Sequence, residues 1–159
     1  MITYQKGDLI SLAKQGEFDV VVHGCNCFCR MKRGIAPQMA KAFGCDRFPL
    51  EGPKFEGDKA KLGQIEYQRV ILSTDKELVV VNAYTQFHWN APSPFGIPLD
   101  YDALRSCFIK VNDAFQGKKV GIPKIGAGLA GGDWQKVESI LEEVCGDLGE
   151  LVVVEYVAL

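Results

Sequence analysis

The sequence predicts an α/β fold with three layers, in which helices lie on both faces of a mixed central sheet. Strand-like and helix-like segments alternate along the chain, and this order is typical of such α/β/α domains. The length of 159 residues suits a single domain, residues 1–159, with a core of its own. Hydrophobic residues make up 47% and charged residues 24% of the chain, as in ordinary globular proteins.

The first third of the chain holds a short strand before Gly7, a second strand and a helix. Residues 18–23 are rich in β-branched side chains and predict a buried strand. Residues 34–43 predict a helix, because apolar side chains recur on one face at Ile35, Met39 and Ala42.

The middle of the chain predicts a hairpin. Residues 64–73 and 77–84 have the pattern of strands, and the turn between them begins at Ser73. Residues 44–63 are the least regular part of the sequence, and we expect them to form a surface connection.

The last third alternates again. Residues 99–115 predict a helix, 119–122 a strand, 133–144 a helix and 151–157 a final buried strand. Asp133 has the position of an N-cap. The inward positions of the two helices are predicted to be Leu104, Phe108, Val111 and Phe115 in the first, and Val137, Ile140, Leu141 and Val144 in the second.

Ligands of such sheets bind beyond the carboxyl ends of the strands. The turns after His23, Tyr84 and Ile122 are therefore predicted to share one edge of the sheet. These turns hold nearly all the unusual residues of the sequence.

Residues 121–134 carry the most informative of these turns. A short strand runs into glycines at 126, 128, 131 and 132, and a helix start follows at Asp133. Glycines let backbone N–H groups approach a ligand, and a helix start adds free N–H groups and partial positive charge. This pattern indicates a phosphate cradle, although a turn that only reverses the chain would look similar. It matches neither G-x-x-x-x-G-K-[ST] nor a clean G-x-G-x-x-G.

Composition narrows the class of protein. The net charge of −2 argues against binding of nucleic acid mainly through its backbone phosphates, while a local basic patch stays open. No apolar run approaches the roughly 20 residues that span a bilayer, so no membrane partner is predicted. The first residues lack the layout of a signal peptide. Six cysteines without such a signal indicate reduced thiols and a cytoplasmic location.

A second cluster runs from His23 to Ala36 and allows three interpretations. Cysteines at 25, 27 and 29 with His23 are soft metal ligands, but their spacing is not that of a structural zinc site, and no metal or cofactor is predicted. A cysteine nucleophile paired with His23 or His88 is the second interpretation, although buried cysteines usually serve as small apolar residues.

The third interpretation of this cluster is a binding loop. Asn26 offers donors and an acceptor to sugar hydroxyls. Arg33 precedes a helix start whose N–H groups suit an anion, and two such helix starts at one sheet edge suit a diphosphate. The aromatic loop of residues 82–92 is a candidate to close against a ribose or a base. Asp8 is either a helix N-cap or an acceptor for an amino group such as that of adenine.

These segments together resemble the macro domain family over nearly the whole chain. Residues 7–9 resemble its early G-D-[IL] motif, 23–26 its strand-end asparagine motif, 33–36 its first phosphate loop and 122–129 its second. The resemblance implies ADP-ribose or a derivative as the ligand. It further implies that Asp8 holds the adenine amino group, that residues 33–36 and 126–130 wrap the diphosphate, and that Asn26 reaches the distal ribose.

Two branches of the family are similar to this chain. His23 to Cys27 resembles the start shared by short ADP-ribose-1″-phosphate phosphatases. Residues 85–89 and 128–134 resemble enzymes that remove ADP-ribose from protein or DNA, but Gln86 stands where their glycohydrolases use a lysine. Glutamine cannot form an imine with the opened ribose. We therefore predict a phosphatase, with removal of ADP-ribose from protein or nucleic acid, or binding without turnover, as alternatives.

The predicted site follows from these motifs and the resemblance. The predicted catalytic residues, of which His23 or Asp133 would move a proton or orient water, are His23, Asp133 and Asn26. The predicted substrate-binding residues are Asp8, Leu9, Asn26, Arg33, Gly34, Ile35, Ala36, Tyr84, Gln86, Gly126, Ala127, Gly128, Leu129 and Ala130. The expected partner is a small-molecule derivative of ADP-ribose, with an ADP-ribosylated protein or nucleic acid as the alternative.

Overall fold

A mixed sheet forms the centre of the molecule. The computed structural model describes residues 2–50 and 57–157, and within them six strands lie in the order β1-β6-β5-β2-β4-β3. Neighbouring strands are parallel except for the antiparallel pair β3 and β4. The strands are β1 (Ile2–Gly7), β2 (Val20–Asn26), β3 (Ile65–Ile71), β4 (Glu77–Gln86), β5 (Lys119–Ile122) and β6 (Glu150–Tyr156).

Helices cover both faces of this sheet, as the alternating sequence predicts. They are α1 (Leu9–Lys14), α2 (Ala36–Phe43), α3 (Tyr101–Ala114) and α4 (Trp134–Val144). Two separate apolar clusters hold the layers together. On one face α1 and α2 pack on the sheet through residues such as Leu9, Ala13 and Met39. On the other face α3 and α4 contribute Leu104, Phe108, Val137, Ile140 and Leu141. The three-layer prediction is confirmed.

Aspartate side chains fix where three of the helices begin. Asp8, Asp100 and Asp133 are N-caps of α1, α3 and α4, and each accepts hydrogen bonds from backbone N–H groups of the first turn. Such a cap is worth about 0.5–2 kcal/mol. The predicted cap at Asp133 is therefore confirmed. Asp8 also acts as a helix N-cap, which is one of the two roles that the sequence allowed.

The predicted hairpin is present. Ile71 pairs with Glu77, and the chain turns through Leu72 to Lys76, with Asp75 in the left-handed region at φ 66°. The segment 44–63, expected to be a surface connection, contains two 3-10 turns, Cys45–Leu50 and Lys59–Lys61. Residues 51–56 of that segment lie outside the described part of the chain.

Several element boundaries differ from prediction by a few residues, and backbone geometry explains two of these differences. The strand predicted to end at His23 continues to Asn26, because its ladder with β4 runs on to the pair Asn26 and Gln86. The helix predicted from Gly34 begins at Ala36, because Gly34 has φ 64°, which a right-handed helix does not accept.

The parallel register brings the carboxyl ends of β2, β4 and β5 to one edge of the sheet. The turns after these three strands therefore meet, as predicted from the topology of α/β sheets.

Candidate functional site

A cavity of about 420 Å³, here called the central cavity, opens at this edge of the sheet. Its base is formed by Gly24 to Asn26 on β2 and by Thr85 and Gln86 on β4. Its walls are the loop 29–36 before and into α2 and the loop 123–130 after β5, with Trp89 at one end. All three predicted turns thus contribute to one site.

A second cavity of about 560 Å³ adjoins the first. Gly34, Ile35, Pro123 and Lys124 line both, so the two form one continuous cleft. The far end of the second cavity is lined by Asp8, Leu9, Gln38, Val154, Glu155 and Tyr156. The cleft is therefore elongated, with the two loops at its middle.

The loop after β5 presents free backbone N–H groups. The amides of Ala127, Gly131 and Gly132 donate to carbonyls within the loop. Within the described residues, the amides of 126, 128, 129 and 130 have no such acceptor, and all four of these residues line the central cavity. Successive free amides of this kind form an anion-binding nest.

Leu99 packs against the loop after β5. Its backbone N–H donates to the carbonyl of Ala130 at 3.2 Å. A Cβ on Gly126 would lie 2.9 Å from Leu99 Cδ2, and a Cβ on Gly132 would meet the same methyl group and lie 2.5 Å from the Gly126 carbonyl oxygen. The loop can follow this path only with glycine at these two positions.

The opposite loop ends in an open helix start. Ile35 is the N-cap of α2 and provides no side-chain cap within the described residues, and Pro37 follows in the first turn. Gly34, Ile35 and Ala36 line the central cavity. The uncapped N-terminus of α2 therefore carries its partial positive charge toward the cavity.

The charge of the central cavity is positive. Arg30, Lys32, Arg33 and Lys124 line it, whereas none of its lining residues in the described chain is Asp, Glu or His. Lys124 forms an ion pair with Glu155 at 3.6 Å. The other three cations lie on one loop, so this part of the cleft suits an anion.

Asn26 lines the cavity and organises the loop that follows it. Its Oδ1 accepts hydrogen bonds from the backbone N–H groups of Phe28 and Arg30 at 3.0 and 3.2 Å, and its Nδ2 donates to the Arg30 carbonyl at 3.0 Å. An amide nitrogen carries two hydrogens, so one donor of Asn26 is left for a ligand.

Gln86 and Trp89 form the end of the cavity. Gln86 Nε2 donates to the His88 carbonyl at 3.0 Å. The Trp89 ring stacks on His88 at 3.7 Å between centroids, and the Arg30 guanidinium lies 4.6 Å from the Trp89 ring centroid. The Arg30 cation is thereby held beside the Trp89 ring, and both residues line the central cavity.

Asp8 lies at the other end of the cleft. One carboxylate oxygen, Oδ1, caps α1 by accepting from Ile10 and Ser11 at 2.9 and 3.2 Å. The other oxygen has no protein donor within the described residues, so Asp8 can both cap the helix and accept from a ligand.

His23, predicted as a catalytic residue, lines neither cavity. Its side chain is fully buried, and Nε2 lies 2.7 Å from Asn82 Oδ1. Asn82 Nδ2 donates to the Cys45 carbonyl, which orients the amide so that His23 Nε2 is the donor. Burial lowers the pKa of His23 to about 4, against a smaller opposing effect of the Asn82 hydrogen bond.

Three further predicted residues lie outside the cavity linings. Asp133 is exposed and its Oδ1 accepts from the Gln135 N–H at 3.0 Å, so the structure assigns it to the cap of α4 and not to the cleft. Tyr84 is fully buried beside Cys25 and Cys27. The Ala127 amide is used within its own loop.

The cysteines do not have the environment of nucleophiles. All six are free. Burial raises the pKa of Cys25 well above its ordinary value, that of Cys27 to about 11 and that of Cys45 to about 12, so these thiols stay protonated at neutral pH. In residues 2–50 and 57–157, no three or more His, Cys, Asp or Glu side chains are grouped so that they could hold a metal ion.

Residues that sequence reasoning missed also line the cavity. Arg30, Lys32 and Lys124 were not predicted as site residues, nor was Thr85. Each lies within six residues of a predicted one, so adjacency was the only available signal.

None of the helices in the described parts of the chain has the length and apolarity needed to cross a bilayer.

Comparison with known proteins gives a consistent result. No family model matches the chain. A 17.5 kDa protein of Enterobacteria phage T4, named as uncharacterized, is 34% identical over 98% of this chain and 97% of its own length. ADP-ribose glycohydrolase OARD1 of Bos taurus is 30% identical over 90% of this chain and 83% of its own. The chain belongs to the macro domain family.

A further relative and a solved structure are consistent with this family assignment. An ADP-ribose 1″-phosphate phosphatase of Candida albicans is 25% identical over 90% of this chain and 93% of its own. The macrodomain of Mycobacterium tuberculosis DarG has the same fold, with a TM-score of 0.67, 22% identity, and coverage of 100% of this chain and 99% of that chain.

Proposed function

We propose that this macro domain binds ADP-ribose along the cleft. The adenine would lie in the second cavity and donate its amino group to the free oxygen of Asp8. The diphosphate would lie between the helix start at residues 34–36 and the free amides of 126 and 128–130, and the distal ribose would lie near Asn26 and Gln86. The order of these features along one continuous cleft supports this arrangement. Relatives named as acting on ADP-ribose support it further.

We further propose that the protein is a hydrolase that releases phosphate from ADP-ribose 1″-phosphate. The observation that carries this proposal is the charge of the central cavity, whose lining, among the described residues, has four cations and no carboxylate. ADP-ribose itself has two phosphates, which the two loops suffice to hold. Arg30, near the start of the first loop, lies over the Trp89 ring, and we propose that it holds a third phosphate on the distal ribose.

In the proposed reaction a water adds to the phosphorus of the 1″-phosphate. The bond from phosphorus to the ribose oxygen breaks, that oxygen takes a proton and becomes the hydroxyl of ADP-ribose, and inorganic phosphate leaves. The contribution of the protein would be positioning of the substrate and stabilisation of negative charge by Arg30, Lys32 and the backbone amides. Because the described lining contains no carboxylate or histidine, we propose that the phosphate itself acts as the base for the attacking water.

A second candidate function is hydrolysis of the bond between ADP-ribose and a modified macromolecule. The 30% identity to an ADP-ribose glycohydrolase favours it. Water would then attack C1″ of the ribose, and the attached group would leave with a proton. Gln86 argues against a lysine-dependent route.

Three assays separate these functions. Calorimetry with ADP-ribose tests the binding on which both depend. Phosphate release from ADP-ribose 1″-phosphate is expected, with ADP-ribose as the second product by chromatography. Release of ADP-ribose from modified protein or DNA, without phosphate release from the small substrate, would replace the phosphatase by the second function. Binding with no product in any assay would make the protein a reader of ADP-ribose.

A further inference from the structure

Thr85 carries a hydroxyl group whose burial is unexplained by the fold. Its side chain is 1% exposed, and its Oγ1 is buried with no hydrogen-bond partner among the described residues. Its backbone carbonyl, by contrast, accepts from the Asp100 N–H at 3.0 Å. Burying a hydroxyl without a partner destabilises a folded protein, so such groups are uncommon and call for an explanation.

The position of this hydroxyl relates it to the cleft. Thr85 is one of the residues that line the central cavity, between the β2 end and Gln86. A Cβ on Gly24 would lie 2.9 Å from Thr85 Oγ1 and 3.1 Å from Ile125 Cγ1. Any other residue at 24 would thus press on the hydroxyl, so only glycine fits beside it.

Two other buried polar atoms lack partners in the described chain, and they provide a contrast. They are His23 Nδ1 and the Tyr84 hydroxyl. Neither residue lines the central or the second cavity. Of the three unpartnered groups, Thr85 is the one placed where a ligand can supply the missing hydrogen bond.

We propose that the Thr85 hydroxyl binds an oxygen of the substrate at its distal, reacting end, and that Gly24 is required because a side chain at that position would displace this hydroxyl. Thr85 is then a substrate-positioning residue, and its partner is absent until the substrate enters. The inference rests on the proposed function, since it needs a substrate whose distal end lies near Asn26 and Gln86.

The stability of variants distinguishes this role from a structural one. Thr85→Val keeps the shape of the side chain and removes only the hydroxyl. Because that hydroxyl has no hydrogen-bond partner in the described chain, the variant is expected to melt no lower than the wild type. Its kcat/KM for ADP-ribose 1″-phosphate is expected to fall about tenfold, as for loss of one substrate hydrogen bond, with the larger part of the effect in kcat.

Matched variants complete the experiment. Thr85→Ser retains the hydroxyl and is expected to keep most of the activity. Gly24→Ala is expected to lower kcat/KM as Thr85→Val does. Thr74→Val, at an exposed position in the β3–β4 turn, is the control for the same chemical change and should match the wild type in every measurement.

Each result decides the question. Wild-type kcat and KM in Thr85→Val, or a melting temperature well below wild type in that variant, would overturn the role of the hydroxyl. Equal losses in Thr85→Ser and Thr85→Val would also overturn it, because shape and not the hydroxyl would then matter. If the wild type neither binds ADP-ribose nor releases product, the proposed function itself is wrong. If the wild type and Thr85→Val are equally active, only the role of the Thr85 hydroxyl is wrong.

Discussion

Gly34 and Leu129 face each other across the middle of the cleft. A Cβ built on Gly34 would lie 3.7 Å from Leu129 Cδ1. The two residues belong to the loops before α2 and after β5, which the chain separates widely. Their contact shows that the open helix start of α2 and the free amides of residues 126–130 form opposite walls of one cavity. A diphosphate between them would be held from both sides by backbone donors.

The glycine at 132 is predicted to be essential to the shape of the second wall. In Gly132→Ala the new methyl group would meet Leu99 and lie 2.5 Å from the Gly126 carbonyl oxygen. We expect the free energy of unfolding to fall by about 1–3 kcal/mol, as in overpacked sites, and ADP-ribose affinity to fall with it. Chemical denaturation and calorimetry measure both.

Gly146→Ala is the matched control for this substitution. A Cβ there would have no heavy atom of the described residues within 4 Å, so stability and affinity should stay at wild-type values. If Gly132→Ala behaves like Gly146→Ala, the close packing of the loop on Leu99 is not what fixes its path.

Arg30 is predicted to discriminate between phosphorylated and unphosphorylated ligands. It lies at the end of the central cavity, 4.6 Å from the Trp89 ring centroid. We expect Arg30→Gln to raise KM for ADP-ribose 1″-phosphate about tenfold, the effect of losing one hydrogen bond to a charged group. The Kd for ADP-ribose should change much less.

The control for the charge change is Arg69→Gln. Arg69 pairs with Glu77 at 3.3 Å on the hairpin and lines neither cavity. An equal effect of Arg30→Gln on both ligands would remove the argument for a third phosphate at this end.

Asp133 is predicted to act on stability alone. Asp133→Ala removes the cap of α4, and we expect the free energy of unfolding to fall by about 1 kcal/mol. Asp133→Asn keeps a side-chain oxygen that can cap and removes the negative charge, so it should match the wild type in both stability and kcat. Loss of turnover in a well-folded Asp133→Asn variant would contradict this prediction and would indicate that the Asp133 carboxylate takes part in the reaction.

The buried His23 is predicted to make the fold sensitive to acid. Its pKa is about 4 in the folded protein and near the ordinary value of 6.5 when unfolded. Between these values the unfolded chain binds more protons, so the free energy of unfolding falls as pH falls from about 6.5 to 4. The full shift corresponds to roughly 3 kcal/mol.

Denaturation by urea at a series of pH values in this window measures that loss. In His23→Gln, whose amide can still donate to Asn82, the decrease should be smaller by about the same amount. His88 and the carboxylates are present in both proteins and cancel in the comparison. Parallel curves for the two proteins would contradict the buried, neutral state of His23.

Elements whose signals are local could be predicted well. The strand at 119–122, the hairpin around Ser73 and the helix after Asp133 lie where the sequence predicted them. Their signals are apolar periodicity, turn residues and capping side chains, which act over a few residues. The start of α2 was misplaced because helical periodicity extends over Gly34, whereas the backbone there is left-handed.

The candidate site could be predicted only in outline. Glycines and helix starts marked the two loops, because backbone conformation limits the residues that fit. The sequence could not show that His23 is buried outside the cavity lining while its neighbour Gly24 lines the cavity. That difference depends on how the neighbouring helices and loops pack around β2 in the folded protein.

The sequence by itself determined the order of strands and helices, the caps and the positions where only glycine fits, since these depend on neighbours along the chain. The tertiary structure decided which of those features meet. It placed Leu129 against Gly34, Arg30 over Trp89, and Gly24 beside the unpartnered hydroxyl of Thr85. Such contacts join residues that are distant in sequence, and they follow from strand register and packing, which no local pattern encodes.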